Sequence, residues 1–143
     1  MERGVGRPIL LVEDDTETRL AYRALLEHAG WNVEEAGDGE RALQIAAGVL
    51  PCVVVVDISI PGVDGWEMTR RLKLDERTRD VPVLVVTGHA LDEDSRRARD
   101  LGCAGYLVKP VPPAHLVAEV ARLAAPLAAP LPAPLPAPLP EDR

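Results

Sequence analysis

Five short apolar runs, each rich in β-branched residues, alternate with segments of helical spacing along the first 125 residues. Three of the runs are continuously apolar, which is typical of parallel strands buried on both faces. A strand–helix order repeated five times predicts an α/β fold, a (βα)5 unit with one doubly wound parallel sheet. The five predicted strands are Ile9–Val12, Asn32–Ala36, Val53–Val56, Val83–Val86 and Gly105–Val108.

The segments that follow these runs predict five helices. In the first, Leu20, Ala21, Ala24 and Leu25 are expected on the apolar side, and Asp15 is the expected N-cap. The fourth opens with acids and closes with arginines and Gly102, which suits the helix dipole and a glycine C-cap. The arginines there are expected on a solvated face. The helices are Thr16–Ala29, Gly39–Ala47, Trp66–Leu74, Asp92–Leu101, and one from Pro112–Pro113 through Leu123.

The composition changes near residue 125. Half of the 14 prolines lie between Pro126 and Pro140, in the stretch PLAAPLPAPLPAPLP. Because proline lacks an amide donor, residues 126–143 are predicted to form an extended, disordered tail outside a domain of residues 1–125. The tail is either an interdomain linker or frayed terminus, or a docking arm for a proline-binding partner.

Composition also limits the class of protein. The net charge of −7 argues against direct contact with nucleic-acid phosphates. No apolar run approaches the ~20 residues of a membrane span, and the N-terminus lacks a signal-peptide stretch. Two cysteines, Cys52 and Cys103, make no disulfide framework. A cytoplasmic protein without a membrane partner is therefore expected.

Polar side chains follow four of the five predicted strands. Ligands of such sheets bind at the carboxyl ends of the strands, where the strand order reverses. These residues are therefore expected to meet at one edge of the sheet. They are Glu13, Asp14 and Asp15 after the first strand, Asp57 after the third, Thr87 after the fourth and Lys109 after the fifth.

This set of residues suits phosphoryl transfer. Crowded carboxylates at Glu13, Asp14 and Asp57 are costly without a cation, and oxygen ligands favour a hard ion such as Mg²⁺. An aspartate can act as the nucleophile and form an aspartyl phosphate, while Lys109 and Thr87 counter the phosphoryl charge. Because no glycine-rich phosphate loop is visible, the phosphoryl donor is expected to be something other than a nucleotide bound in this domain.

Four stretches resemble the receiver domain of two-component response regulators (CheY-like). They occur in the right order and spacing over residues 9–110, and the predicted helix to Leu123 completes the unit. The resemblance implies the flavodoxin-like strand order 2-1-3-4-5. The stretches are ILLVEDD (9–15), VVVVDISIPGVDGWEM (53–68), VPVLVVTGHA (81–90) and GYLVKP (105–110).

The resemblance implies a phosphoacceptor and a metal site. Asp57 would take a phosphoryl group from the phosphohistidine of a sensor histidine kinase or from a phosphotransfer protein. Mg²⁺ would be held by Glu13, Asp14 and Asp57, with the backbone carbonyl of Ser59 as a further ligand. Asp15 is expected at the helix cap rather than at the metal.

The resemblance also implies a switch. Thr87, Gly88 and Lys109 would bind the phosphoryl group, and the bond between Lys109 and Pro110 would often be cis. Thr87 and Tyr106 would move together and change the face made by the fourth helix, fifth strand and fifth helix, where a downstream protein binds. The competing interpretation of Tyr106 is a fixed, half-buried strand residue.

Three other interpretations remain. A phosphorylation-independent pseudo-receiver is less favoured, because Asp57, Asp14 and Lys109 are all present. A small-molecule aspartyl-phosphate hydrolase would need a second acid where Ser59 stands. The chain is otherwise a stand-alone domain or the N-terminal piece of a longer regulator. As no output domain follows residue 125, output is expected by protein contact or by onward phosphotransfer. No enzymatic activity is expected beyond the domain's own phosphorylation and dephosphorylation.

Overall fold

A computed structural model describes residues 7–58, 64–88 and 92–128. In these segments, five parallel strands form one sheet in the order β2-β1-β3-β4-β5, which confirms the predicted fold class and strand order. A helix follows each strand. The elements are β1 (Ile9–Val12), α1 (Thr16–His28), β2 (Val33–Ala36), α2 (Gly39–Val49), β3 (Val53–Asp57), α3 (Gly65–Leu74), β4 (Val83–Thr87), α4 (Asp92–Asp100), β5 (Gly105–Val108) and α5 (Pro113–Ala128).

Both faces of the sheet are covered by helices, which explains why three of the runs are continuously apolar. Ile9 and Leu11 of β1 pack in a core with α1 and α5. Leu10 and Val12 point to the opposite face and pack in a second core with α2, α3 and Ala98 of α4. All four side chains are at most 1% exposed. Neither face of the strand offers a position for a polar residue, so polar residues appear only where the strand ends.

The register of the sheet aligns the strand ends. Val12 of β1 lies beside Val56 of β3, so the residues that follow them, Glu13 and Asp57, lie at the same level at this edge of the sheet. On the other side of β3, Asp57 lies beside Val86 of β4. Parallel pairing therefore brings together residues that are far apart in sequence.

The buried side of α1 differs from the predicted one. Leu26 is fully buried and packs with Tyr22 and Leu25 against the core on the α5 side. Leu20, in contrast, is 56% exposed. Apolar residues occur nearly all round this helix, so its periodicity allows two faces, and the position of the sheet selects the one that carries Leu26. Of the predicted side (Leu20, Ala21, Ala24 and Leu25), only Leu25 packs against the core.

Helix termini follow the predicted capping chemistry. Asp15 is the N-cap of α1, and its carboxylate accepts hydrogen bonds from the backbone N–H (2.9 Å) and the hydroxyl (2.6 Å) of Thr18. Gly102 ends α4 with a φ of 85°, a left-handed conformation that favours glycine. Helix α3 begins at Gly65, where a Cβ atom would lie 2.5 Å from the Cα of Ile58. Glycine at that position lets α3 start directly against the end of β3.

Helix α5 is longer than the sequence predicts. It continues past Leu123 and through Pro126 to Ala128, so residues 126–128 of the predicted tail are helical. Because Pro126 lacks an amide donor, the helical hydrogen bond to the carbonyl of Arg122 is not made at this position. Residues 129–143 lie outside the described part of the chain, so the predicted extended tail remains a prediction there. Among the described residues, no helix is both long and apolar enough to cross a membrane.

Candidate functional site at the carboxyl edge of the sheet

Glu13 is a buried acid directly after β1, with 2% of its surface exposed. One of its carboxylate oxygens accepts a hydrogen bond from the backbone N–H of Asp15 (3.1 Å), and the other accepts one from Nζ of Lys109 (3.0 Å). Burial raises the pKa of the Glu13 carboxyl, against the opposing effect of these two donors, and repulsion from Asp57 adds to the rise. Glu13 therefore occupies the floor of the site.

Lys109 joins two acids from different strands. Its Nζ lies 3.0 Å from a carboxylate oxygen of Asp57 and 3.0 Å from one of Glu13. Its backbone N–H donates to the carbonyl of Thr87 (2.7 Å), which fixes it beside the end of β4. Burial by itself would lower the pKa of Lys109, but the hydrogen bonds and charges of the two acids outweigh it and raise the pKa. The ammonium is therefore charged where it meets Asp57. The peptide bond from Lys109 to Pro110 is cis, as predicted.

Three carboxylates converge beside this lysine. Glu13, Asp14 and Asp57 each present an oxygen within 4.8 Å of the oxygens of the other two. Asp14 is exposed, whereas the side chain of Asp57 is only 11% exposed. An all-oxygen set that is open to solvent on the Asp14 side fits Mg²⁺, which binds few carboxylates and keeps several waters. Asp15 is directed into the α1 cap instead, as predicted, and its hydrogen bonds from Thr18 lower its pKa.

Thr87, Gly88 and Tyr106 lie at the β4–β5 side of the same edge. Thr87 is fully buried as the last residue of β4, and it pairs with Val108, the residue before Lys109. Gly88 is exposed, and a Cβ atom added there would meet nothing within 4 Å, so this side of the edge is open. Tyr106 is half-buried against the core under α4, and burial and the charge of Asp94 raise its pKa.

One predicted site residue lies outside the described part of the chain. It is Ser59, whose backbone carbonyl is the predicted fourth protein ligand of the metal.

Sequence reasoning missed two contacts of arginine side chains. Arg19 of α1 donates from Nη1 to the backbone carbonyl of Glu13 (2.8 Å). The available signal was a cation near the start of a helix, where the dipole disfavours positive charge and a special partner is expected. Arg97, expected on a solvated face with the other α4 arginines, lies over the ring of Trp66, 5.0 Å from its centroid. This cation–π contact joins α4 to α3.

The chemistry available at this edge follows from its charges. A nearly buried carboxylate is held beside a cation, and two further acids are placed to share a metal ion with it. A buried hydroxyl follows on the next strand. The family model described as the response regulator receiver domain matches residues 9–121, a span that includes every one of these groups.

The chain belongs to the response regulator receiver domain family. It is therefore a module of two-component signalling. It is 35% identical over 105 residues to the polar-differentiation response regulator DivK of Brucella ovis, a match that covers 73% of this chain and 85% of DivK.

It is also 33% identical over 116 residues to the phosphate regulon transcriptional regulatory protein PhoB of Pseudomonas aeruginosa. That match covers 81% of this chain and 51% of PhoB, so the receiver domain spans about half the length of this longer relative.

Solved receiver domains share the fold. The receiver domain of the sensor histidine kinase PA1611 of Pseudomonas aeruginosa aligns with a TM-score of 0.78 and 30% identity, over 85% of this chain and 99% of that one. That structure contains a magnesium ion coordinated in its active-site cleft. Chemotaxis protein CheY4 of Vibrio cholerae aligns with a TM-score of 0.78 and 28% identity, over 83% of this chain and 99% of CheY4.

Proposed function

We propose that Asp57 of this receiver domain accepts a phosphoryl group from the phosphohistidine of a sensor histidine kinase or phosphotransfer protein. The observation that carries the proposal is the position of Lys109, whose single ammonium contacts both Asp57 and Glu13. A carboxylate oxygen of Asp57 attacks phosphorus, the P–N bond breaks, and its electron pair returns to the imidazole nitrogen of the donor. The product is an aspartyl phosphate.

The acids of the site support a requirement for Mg²⁺. Glu13, Asp14 and Asp57 would hold the ion, with the carbonyl of Ser59 as the predicted fourth protein ligand. Bound there, Mg²⁺ would neutralise charge on the phosphoryl oxygens. Because Asp14 is exposed, the metal site is open to solvent on this side, and a phosphoryl donor would approach Asp57 from there.

Lys109 and Thr87 bind the transferred group. The phosphoryl group brings about −1.5 to −2 charges and three acceptor oxygens to Asp57. Lys109 turns its Nζ from the carboxylate to a phosphoryl oxygen, a short movement because the two acceptors share one side chain. Thr87 donates its hydroxyl from the neighbouring strand, and Gly88 leaves the entrance open.

Phosphorylation would be transmitted by Thr87 and Tyr106. The two residues lie on adjacent strands, two register positions apart, and Tyr106 is at the edge of the sheet beneath α4. When Thr87 moves towards the phosphoryl group, Tyr106 turns into the vacated space and reshapes the face made by α4, β5 and α5. Val108 on that face is 39% exposed, which suits contact with a downstream protein.

The domain acts on itself rather than on a separate substrate. The transfer and the later hydrolysis both occur at Asp57, so the module signals and is not an enzyme in the ordinary sense. A phosphorylation-independent interaction module is not favoured. Burying two carboxylates beside a lysine costs free energy, and a module that is never phosphorylated would not need this arrangement.

The test is chemical phosphorylation followed by mass spectrometry. With acetyl phosphate and Mg²⁺, the wild-type protein should gain one phosphoryl group, and Asp57→Asn should gain none. Asp38→Asn is the matched control, because Asp38 caps α2 and asparagine caps equally well. Undiminished labelling of Asp57→Asn would overturn the assignment.

A further inference from the structure

Arg19 links the acidic edge of the sheet to a neighbouring strand. Its Nη1 donates to the backbone carbonyl of Glu13 (2.8 Å), and its Nε donates to the carboxylate of Glu35 on β2 (2.9 Å). The side chains of Arg19 and Glu35 are each 20% exposed, so the pair is largely shielded from water. The guanidinium is thus held at one end by an ion pair and directs a donor at the peptide between two predicted metal ligands.

The peptide unit between Glu13 and Asp14 determines the position of the Asp14 backbone. Because a peptide unit is planar, fixing the direction of the Glu13 carbonyl also fixes the N–H of Asp14 and the position of its Cα. The side chain of Asp14 is exposed, so packing does little to orient it. Its direction depends on the backbone instead.

Glu13 itself is held from several elements. Its N–H donates to the carbonyl of Ala36 at the end of β2 (3.0 Å), and its carboxylate is held by Asp15 and Lys109. The bond from Arg19 completes this set by restraining the remaining polar group of the residue. From these contacts we infer that Arg19 is a positioning residue for the metal site, an inference that rests on the proposed function and on Mg²⁺ as its ion.

Arg23 provides a matched comparison. It lies one turn further along α1 and forms ion pairs with the same Glu35 and with Glu27. Its loss removes charge and two ion pairs from the same surface, but leaves the bond between Arg19 and Glu13 in place. A general effect of charge or of α1 stability would appear in variants of both arginines, whereas a positioning effect would appear only at Arg19.

The experiment is a Mg²⁺ titration without phosphoryl donor, followed by amide chemical shifts of Asp14 and Lys109, alongside thermal melting. Arg19→Ala should weaken Mg²⁺ binding roughly ten-fold, as expected when a residue that orients a metal ligand is removed. Arg23→Ala should change the affinity less than about two-fold, since it touches no ligand of the metal. The melting temperatures of the two variants should fall by similar amounts.

Arg19→Lys keeps the charge but lacks the guanidinium fork that reaches two acceptors at once. Arg19→Lys should weaken Mg²⁺ binding by at least roughly three-fold. If Arg19→Ala does not fold, Arg19→Lys alone tests the inference. Unchanged affinity in the Arg19 variants, or an equal loss in Arg23→Ala, would overturn the inference. A wild-type protein that binds no Mg²⁺ would instead overturn the metal in the proposed function, and this inference with it.

Discussion

Lys109 contacts Asp57 and Glu13 with one ammonium group that lies 3.0 Å from an oxygen of each. The two acids lie at the same level at the ends of adjacent strands, and repulsion from Asp57 helps to raise the pKa of Glu13. The lysine relieves this repulsion and also places a movable cation on the oxygen that is proposed to attack phosphorus. Its removal should therefore have separable effects on stability, on metal binding and on signalling.

We expect Lys109→Ala to lose about 3 kcal/mol of unfolding free energy, because two nearly buried carboxylates lose their counter-ion. Mg²⁺ should restore more stability to this variant than to the wild type, since it replaces the missing charge. Acetyl phosphate should still label the variant, slowly, but the label should not alter the α4–β5–α5 face. Urea denaturation with and without Mg²⁺ measures the first two effects.

The control is Lys73→Ala, which removes the other lysine of the chain. Nζ of Lys73 donates to the backbone carbonyls of Arg79 and Val81, which lie between α3 and the start of β4, whereas the acids lie at the carboxyl ends of the strands. The Lys73→Ala variant should be less stable than the wild type, but Mg²⁺ should change its stability by the same amount as that of the wild type. Equal responses of the two variants would contradict the proposed role of Lys109.

Asp14 and Asp15 are adjacent acids with opposite expected phenotypes. Asp14→Ala should weaken Mg²⁺ binding at least roughly ten-fold with little change in stability, because its side chain is exposed and belongs to the acidic cluster. Asp15→Ala should cost about 1 kcal/mol of stability, the usual value of a lost helix N-cap, with a smaller effect on the metal. Calorimetric titration and thermal melting of both variants test this, and the reverse ranking would show that Asp15 is the ligand.

Thr87→Ala should uncouple the site from the α4–β5–α5 face. Beryllofluoride, which stands in for the phosphoryl group on Asp57, should shift amide resonances of residues 92–123 in the wild type. These shifts should vanish in Thr87→Ala, because the hydroxyl that would donate to the group is absent. Thr69→Ala removes another fully buried threonine, whose hydroxyl donates to the carbonyl of Gly65, and it should retain the response. A wild-type response confined to the immediate site would refute the switch.

Cys103 should make stability depend on alkaline pH. Burial raises the pKa of its thiol from 9.0 to about 11, against a small opposing effect of Lys73. Between these values the unfolded chain releases its proton first, so stability should fall as the pH rises from 9 to 11. Cys103→Ser should flatten this part of the profile, although the buried Cys52 contributes in the same direction. Iodoacetamide should also label native Cys103 more slowly at pH 9 than it labels the unfolded chain.

The sequence was sufficient to predict which residues of the site meet at the carboxyl ends of the strands. Five apolar runs in alternation with helices determine a parallel sheet, and parallel strands bring their carboxyl ends to one edge. Asp57 and Lys109 could therefore be placed together although 52 residues separate them. The strand order itself came from the resemblance, since alternation alone is compatible with several orders.

Other features depended on three-dimensional contacts that no local pattern encodes. The buried side of α1 is selected by the sheet beneath it, so Leu26 rather than Leu20 enters the core. The bond from Arg19 to the carbonyl of Glu13 joins a side chain to a backbone atom, and its geometry depends on Glu35 of another strand. The stacking of Arg97 on Trp66 likewise depends on how α4 packs beside α3.

Glu13 and Lys109 are 96 residues apart, yet one hydrogen bond joins them. Lys109 directly follows β5, which is the last of the five described strands in chain order and lies at one edge of the sheet. During synthesis, Asp57 and its acidic neighbours are complete long before their cation arrives. A nascent or truncated chain that stops short of β5 therefore carries the proposed acceptor without its counter-ion, so the proposed site is complete only when the fifth strand has joined the sheet.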